Sequence, residues 1–177
     1  MIEEIDKALK TYSSKWEDLV SRRVNKEFFQ SLKPTAVGWK VTDKAEYDRL
    51  YLELHDLCDM IIEKWMNQRW IAKMYLRDNK LTGGISIIKL MQRRPNSTDS
   101  AGLDHVDFFA SDASQMEAVL KQEVDLQWTH ETNDVVEGYS WISVWFAGTE
   151  AKLRNDTVID VIGAELEEIN HKILTKA

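Results

Sequence analysis

The 177-residue chain has a formal net charge of −7, and 44% of its residues are apolar, including seven tryptophans. This composition indicates a folded globular protein and argues against disorder. A nucleic-acid-binding protein would need a basic face, but the sequence has one short basic cluster, at 89–95. No apolar run approaches the roughly 20 residues of a membrane span, and the single Cys58 excludes an intramolecular disulfide. We therefore expect a cytoplasmic protein that binds neither nucleic acid nor membranes.

The N-terminal part of the sequence predicts a helical extension over residues 1–33, because apolar residues recur there every three or four positions. A strand–helix–strand–strand unit follows it. Alternation and turn residues predict its strands, and Asp43 is the expected N-cap of its helix. The predicted elements are a strand at 35–42, a helix at 44–65, and strands at 70–76 and 85–91.

The same order of elements begins again after a polar linker at 92–102. The pattern predicts a strand at 103–110, a helix at 112–122, strands at 126–131 and 140–147, a short strand in EAKLRN, and an amphipathic terminal helix at 158–175. No residue-level repeat is visible. We expect an α+β fold in which two βαββ modules, at about 34–91 and 103–157, form one curved mixed sheet with its helices on the outer face.

Four segments strengthen this interpretation: TAVGWKV, IIEKWMNQRWIAKMYL, GGISIIKLMQRRP and GLDHVDFF. Their order is similar to that of successive blocks in a small bacterial group of the vicinal-oxygen-chelate superfamily. This superfamily contains glyoxalases, bleomycin-resistance proteins and extradiol dioxygenases. The resemblance covers about residues 33–168, and it implies a glyoxalase-like domain over residues 34–177.

The resemblance also implies a metal site with four ligand positions. These are a histidine in the first strand, a glutamate ending the first half, a histidine opening the second half, and a late glutamate. His105 matches the third position, whereas Gly38 and Lys89 occupy the first two, and Lys152 and Arg154 stand near the fourth. Divalent cations require imidazole, carboxylate or thiolate ligands. We therefore predict a degenerate site without a tightly bound transition metal.

A divalent metal ion remains the alternative cofactor. In that case His105 would be joined by a ligand from the 126–131 strand, either His130 or Glu131. Only one of these two could join it, because adjacent residues of a strand face opposite sides.

His105 and Asp107 lie on one face of the 103–110 strand if its alternation is regular, and Asp104 lies on the other. One interpretation is a histidine that points into a ligand-binding cup and serves as an acid–base group or ligand contact. The other is a partly buried histidine that is hydrogen-bonded to a neighbouring carboxylate or to the backbone. The sequence leaves both open.

The residues expected to share this cup fall into two chemical types. Lys89 and Arg154 would attract an anionic ligand, and aromatic or apolar side chains would form the walls. If Trp141 faces inward, Ser143 and Trp145 must do so too. The expected ligand-binding set is His105, Asp107, Lys89, Arg154, Trp141 and Trp145, with Phe109 and Met74 as further walls.

Three hypotheses about function follow. The first is a binding protein for a small, anionic molecule. The second is a metal-dependent lyase, isomerase or dioxygenase-type enzyme of the same superfamily. The third is an interaction or dimerisation module that uses its terminal helices. The sequence assigns no catalytic residue, and it leaves open whether the protein is an enzyme.

Overall fold

The structure is a computed structural model, and it describes residues 1–66, 68–78, 81–98, 100–110, 113–132 and 140–155. Two helices, α1 (Ile2–Ser21) and α2 (Lys26–Ser31), precede an eight-stranded sheet. The predicted terminal helix at 158–175 lies outside the described residues. No helix among the described residues is both long enough and apolar enough to cross a membrane.

Two modules with the same order of elements build the sheet. The first contains β1 (Lys33–Val41), α3 (Lys44–His55), β2 (Cys58–Met66), β3 (Arg69–Leu76) and β4 (Ile87–Gln92). The second contains β5 (Gly102–Phe109), α4 (Ala113–Leu120), β6 (Gln127–Thr132), β7 (Ser140–Phe146) and β8 (Thr149–Arg154). The strands lie in the order β2-β3-β4-β1-β5-β8-β7-β6.

The sheet is mixed, as the sequence predicts. Strands β1 and β4 pair in parallel, and so do β5 and β8. The two modules meet at β1 and β5, which form a central antiparallel pair. The prediction of a two-module α+β fold with one mixed sheet is therefore confirmed, and the segments 35–42 and 103–110 are neighbours in that sheet.

The predicted helix at 44–65 is wrong in its second half, because α3 ends at His55 and residues Cys58–Met66 form β2. The apolar residues of this segment recur at positions that suit a helix. However, Ile61 and Ile62 are β-branched and also favour a strand. Strand β2 pairs antiparallel with β3 along its length, and this tertiary contact decides the outcome. Each module therefore has three strands after its helix instead of two.

Alternation along the strands gives the sheet two chemically different faces. Val106 and Phe108 of β5 belong to the main hydrophobic core, together with the buried residues of α1, α3 and α4. We call this side the helical face. His105 and Asp107 alternate with these residues and lie on the opposite side. We call that side the charged face.

Helix α1 covers the second module on the helical face through aromatic contacts. The ring of Trp16 stacks on Phe108 with 4.5 Å between centroids, and it meets Phe146 edge-on at 5.4 Å. Tyr12 also contacts Phe146 edge-on, at 5.4 Å. Aromatic contacts of this kind contribute more than buried area alone. The N-terminal helices are therefore part of the core.

Candidate functional site

Four positions at the centre of the sheet are related by the repetition of the modules. Gly38 and His105 are partners in the central antiparallel pair. Gly38 also pairs with Lys89 of β4, and His105 pairs with Glu150 of β8. Gly38 and Lys89 of the first module therefore correspond to His105 and Glu150 of the second. We call these four residues the central quartet.

The side chain of His105 occupies the space in front of Gly38. A Cβ atom added at position 38 would lie 2.4 Å from Cε1 of His105, far inside van der Waals contact. His105 itself is only 2% exposed. A side chain at position 38 and the observed conformation of His105 therefore exclude each other. The packing of the site thus leaves no room for a metal ligand at position 38.

Asp104 does not lie where simple alternation predicts. The register of β5 against β1 shifts between the pairs Gly38–His105 and Trp39–Leu103, which leaves Asp104 as an extra, bulged residue. Its carboxylate consequently lies beside the His105 ring, with 3.0 Å between Oδ2 and Nδ1. The prediction that Asp104 faces away from His105 is wrong because a bulge resets the alternation.

Asp107 is completely buried among three basic side chains. Its Oδ2 atom lies 2.7 Å from Nζ of Lys89 and 3.5 Å from Nε2 of His105, and its Oδ1 atom lies 3.7 Å from Nη1 of Arg154. Burial alone would raise the pKa of Asp107, but these neighbours outweigh it and hold the pKa well below its ordinary value. Burial lowers the pKa of Lys89 to about 8, although Asp107 opposes that change.

The carboxylates of Asp104 and Glu150 are held by polar partners. Nζ of Lys40 lies 2.6 Å from Oδ1 of Asp104. Burial alone would raise the pKa of Asp104, but the hydrogen bond with His105 and the charge of Lys40 outweigh it and lower that pKa. Glu150 accepts a hydrogen bond from Oγ of Ser143 at 2.5 Å. Asp104 is therefore stabilised in the ionised form, and the position of the Glu150 carboxylate is fixed by Ser143.

Trp141 lies beside the two basic residues of β8. Nζ of Lys152 and Cζ of Arg154 lie 5.3 Å and 5.5 Å from the centre of its ring, within the range of cation–π interactions. Its Nε1 atom donates a hydrogen bond to Oγ of Ser143 at 3.2 Å. Trp141 thus shares the charged face with Ser143, as alternation predicts, while Ile142 is buried in the main core.

The structure brings together most of the ligand-binding set expected from the sequence. His105, Asp107, Lys89 and Arg154 form one cluster around the buried carboxylate, and Trp141 joins it through the cations of β8. Trp145 pairs with Glu150 in the sheet and lines a polar cleft together with Asp104 and Glu150.

Three other expectations are not met. Met74 is fully buried in the main core on the helical face, so the prediction that it lines the charged face is wrong. His130 pairs with Glu117 of α4 at 3.0 Å, so it also lies on the helical side. Glu131 accepts a hydrogen bond from Thr129 at 2.6 Å. The structure therefore brings neither His130 nor Glu131 to His105.

Sequence reasoning missed three residues of this site: Asp104, Glu150 and Lys40. The resemblance implies a late glutamate near Lys152 and Arg154, but the pairing of β5 with β8 puts Glu150 directly beside His105. This register is a tertiary property that no local pattern reveals. Lys40 could have been found, because it follows Gly38 by two residues and so shares its face.

The residues present do not fit the four-ligand metal site that the resemblance implies. Gly38 offers no ligand atom, and Lys89 offers an ammonium group in the position that corresponds to Glu150. A smaller group of donors remains, because Asp104, His105 and Glu150 offer ligand atoms that all lie within 4.8 Å of one another. In the part of the chain that the structure describes, this group of donors comes from the second module.

Comparisons with known proteins identify the fold. No family model and no curated protein match the sequence. A structural-genomics protein, EC4020, superposes with a TM-score of 0.66 at 14% identity, covering 93% of this chain and 88% of its own. A methylmalonyl-CoA epimerase from Mycobacterium tuberculosis superposes with a TM-score of 0.52 at 15% identity, covering 69% and 86% of the two chains. The chain has the glyoxalase-like fold. At this identity the likeness shows the fold alone.

Proposed function

We propose that the protein binds a small anionic molecule on the charged face, where Gly38 and Lys89 occupy two of the four metal-ligand positions that the resemblance implies. One observation carries the proposal. The register gives Lys89 the position that corresponds to Glu150, so an ammonium group stands where the second module has an acid. This exchange removes a carboxylate that a metal ion would need and adds a cation next to Asp107 and Arg154.

The surrounding charges support an anionic ligand. Both cationic side chains and carboxylates lie near His105. The cations are Lys40, Lys89, Lys152 and Arg154, and the carboxylates are Asp104, Asp107 and Glu150. Arginine and lysine together suit a carboxylate or phosphate group, because arginine offers a planar pair of donors and lysine a point charge.

Trp141 adds an apolar surface next to these charges. Its ring lies against Lys152 and Arg154, so an anion held by the two cations would also contact the indole. Ligand sites commonly combine apolar walls with a few convergent polar groups. We therefore expect a ligand that combines a carboxylate with a small apolar part.

A cleft lies beside Glu150 of the central quartet, next to the proposed anion site. It has a volume of about 470 Å³, and it is lined by Asp104, Gln127, Trp145, Thr149, Glu150 and the turn between β7 and β8. The two acids at this cleft are countered by neighbouring lysines. Lys40 contacts Asp104, and Nζ of Lys152 lies 3.9 Å from Oε1 of Glu150. An anion entering here would therefore meet a partly neutralised surface.

Calorimetric titration with malonate and succinate tests the proposal, with malonamide as the uncharged control. We expect saturable binding of at least one dianion and none of the diamide. Lys152→Gln should weaken binding at least tenfold, because it removes one half-buried cation and leaves the buried pair of Lys89 and Asp107 intact. Lys121→Gln, on the exposed surface of α4's C-terminal end, is the matched control and should bind like the wild type.

Two results would overturn the anion proposal. One is the absence of saturable binding for both dianions at millimolar concentration. The other is equal affinity in the wild type and in Lys152→Gln. The folded state of each variant is checked by circular dichroism before titration, so that loss of binding is not confused with unfolding.

A second candidate, a metal-dependent enzyme, is favoured by the donors Asp104, His105 and Glu150. Metal-ligating histidines usually direct their second nitrogen to a carboxylate, and Nε2 of His105 faces Asp107 at 3.5 Å. Dialysis against zinc, nickel or iron followed by elemental analysis distinguishes the candidates. The metal-dependent enzyme would replace the anion proposal if the wild type and Glu131→Gln each bind one equivalent of metal and Glu150→Gln binds none.

A further inference from the structure

A second pocket lies on the helical face, on the other side of the sheet from the charged cluster. It has a volume of about 320 Å³ and lies between α1, α2, β5 and the turn at Thr82–Gly84. Its walls are mainly aromatic and aliphatic, and they include Tyr12, Trp16, Phe29, Ile85, Val106 and Phe108. Val106 and Phe108 separate it from His105 and Asp107 by the thickness of one strand.

The pocket is open to solvent on one side, because the exposed residues Glu17, Ser21 and Gln30 also line it. Its aromatic and aliphatic walls offer water few hydrogen-bonding partners. The rings of Trp16, Phe29 and Phe108 form one continuous wall. Trp16 stacks on Phe108 at 4.5 Å and meets Phe29 edge-on at 6.0 Å.

Polar contacts at both ends of α1 fix its position beside the pocket. Near its start, Oδ1 of Asp6 accepts hydrogen bonds from the backbone N and the Oγ1 of Thr82, at 2.7 Å and 2.8 Å. Just beyond its end, Nη1 of Arg23 lies 2.7 Å from Oδ1 of Asp125. Together with the stacking of Trp16 on Phe108, these contacts hold α1 in place as one wall of the pocket.

We propose that this pocket is a binding site for an uncharged aromatic molecule of bicyclic size. A cavity of about 150 Å³ holds benzene, so a pocket of about 320 Å³ has room for a ring system such as indole. The aromatic walls favour an aromatic guest through edge-to-face and stacked contacts. Glu17 at the pocket places a carboxylate there, which disfavours an anionic guest. This site is independent of the proposed anion site and opposite to it in chemistry.

Two adjacent serines of α1 provide a matched pair of variants. Ser13 lines the pocket, whereas Ser14 is exposed on the same helix and does not line it. The phenyl ring of Ser13→Phe would fill part of the pocket, so this variant should bind the guest at least tenfold more weakly. Ser14→Phe adds the same ring to the surface and should bind like the wild type.

The experiment is a methyl NMR titration of the full chain with indole, and with 1-naphthoate as the anionic comparison. We expect saturable shifts in the methyl groups of Ile85 and Val106 with indole, and at least fivefold weaker binding of the naphthoate. The proposal is overturned if these methyl groups do not shift saturably in the wild type, or if folded Ser13→Phe binds indole unchanged. The wild-type titration decides the question even if Ser13→Phe does not fold.

Discussion

Strand β5 separates two interiors that are stabilised by different interactions. On the helical face, Val106 and Phe108 are buried among aromatic and aliphatic side chains. On the charged face, His105 and Asp107 are buried just as deeply, at 2% and 0% exposure. The first interior depends on apolar contact area, which many residues share. The second depends on a few ion pairs, because a buried charge without its partners is strongly unfavourable.

The two faces should therefore respond differently to substitution and to pH. Truncation of an apolar side chain lowers the free energy of unfolding by about the same amount at any pH, since the side chain does not titrate. Loss of a buried carboxylate matters only where that carboxylate is ionised. Adjacent residues of one strand can test this difference, because they share the same backbone environment.

The largest effect is expected for Asp107→Asn, which leaves Lys89 and Arg154 buried around a neutral side chain. Breaking a buried ion pair costs about 3–5 kcal/mol of the free energy of unfolding at neutral pH. Phe108→Ala is the matched variant on the helical face. Truncation of a core phenylalanine also lowers the free energy of unfolding by about 3–5 kcal/mol. Urea denaturation at pH 7 should show two losses of comparable size.

Acid should separate these two variants. The pKa of Asp107 is lower in the folded than in the unfolded chain, so its stabilising effect is present above about pH 4 and is lost as the pH falls further. Acid therefore lowers the free energy of unfolding of the wild type by an amount that the substitution in Asp107→Asn has already removed. The difference in free energy of unfolding between the wild type and Asp107→Asn should shrink from pH 7 to pH 3. The difference between the wild type and Phe108→Ala should stay constant. A constant difference for both would contradict the ionic account of the charged face.

A smaller effect is expected for Gly38→Ala, whose Cβ would collide with the ring of His105. Overpacking of this kind costs about 1–3 kcal/mol. In the His105→Ala background the collision is absent, so the same substitution should cost close to nothing. A double-mutant cycle measures this coupling. Equal costs in the two backgrounds would mean that the histidine ring is not what requires glycine at position 38.

The helical face could be predicted from the sequence because its determinants are local. Periodic apolar residues located α1, and alternation in β7 correctly separated Trp141 and Ser143 from Ile142. The failure at 44–65 has a physical cause, since helical spacing and β-branched residues coexist there, and only pairing with β3 selects the strand. Periodicity alone cannot decide a segment whose conformation depends on its neighbour.

The charged face was only partly predictable because its geometry depends on register. The sequence identified His105, Asp107, Lys89 and Arg154 as one group, and the structure places them in contact. It misplaced Asp104 because one bulge reverses the alternation, as a single-residue shift always does. Bulges and strand register depend on the partner strand, so the sequence of one strand does not predict them.

The smallest effect concerns the attachment of α1 to the helical face. Asp6 accepts two hydrogen bonds from Thr82 across 76 residues of sequence, and it also pairs with Lys10. Its hydrogen bonds with Lys10 and Thr82 lower the pKa of Asp6 to about 2. We expect Asp6→Ala to cost about 1 kcal/mol of the free energy of unfolding at pH 7, since its partners remain accessible to water.

Asp18→Ala is the control, because Asp18 pairs with Arg22 on an exposed turn of the same helix, and surface pairs contribute little. Thermal unfolding at pH 7 and pH 3 measures both. The Asp6→Ala loss should exceed that of Asp18→Ala at pH 7 and shrink in acid, because a carboxylate with a lowered pKa stabilises the fold only while it is ionised. Equal, pH-independent losses would mean that Asp6 does not hold α1 to the turn at Thr82.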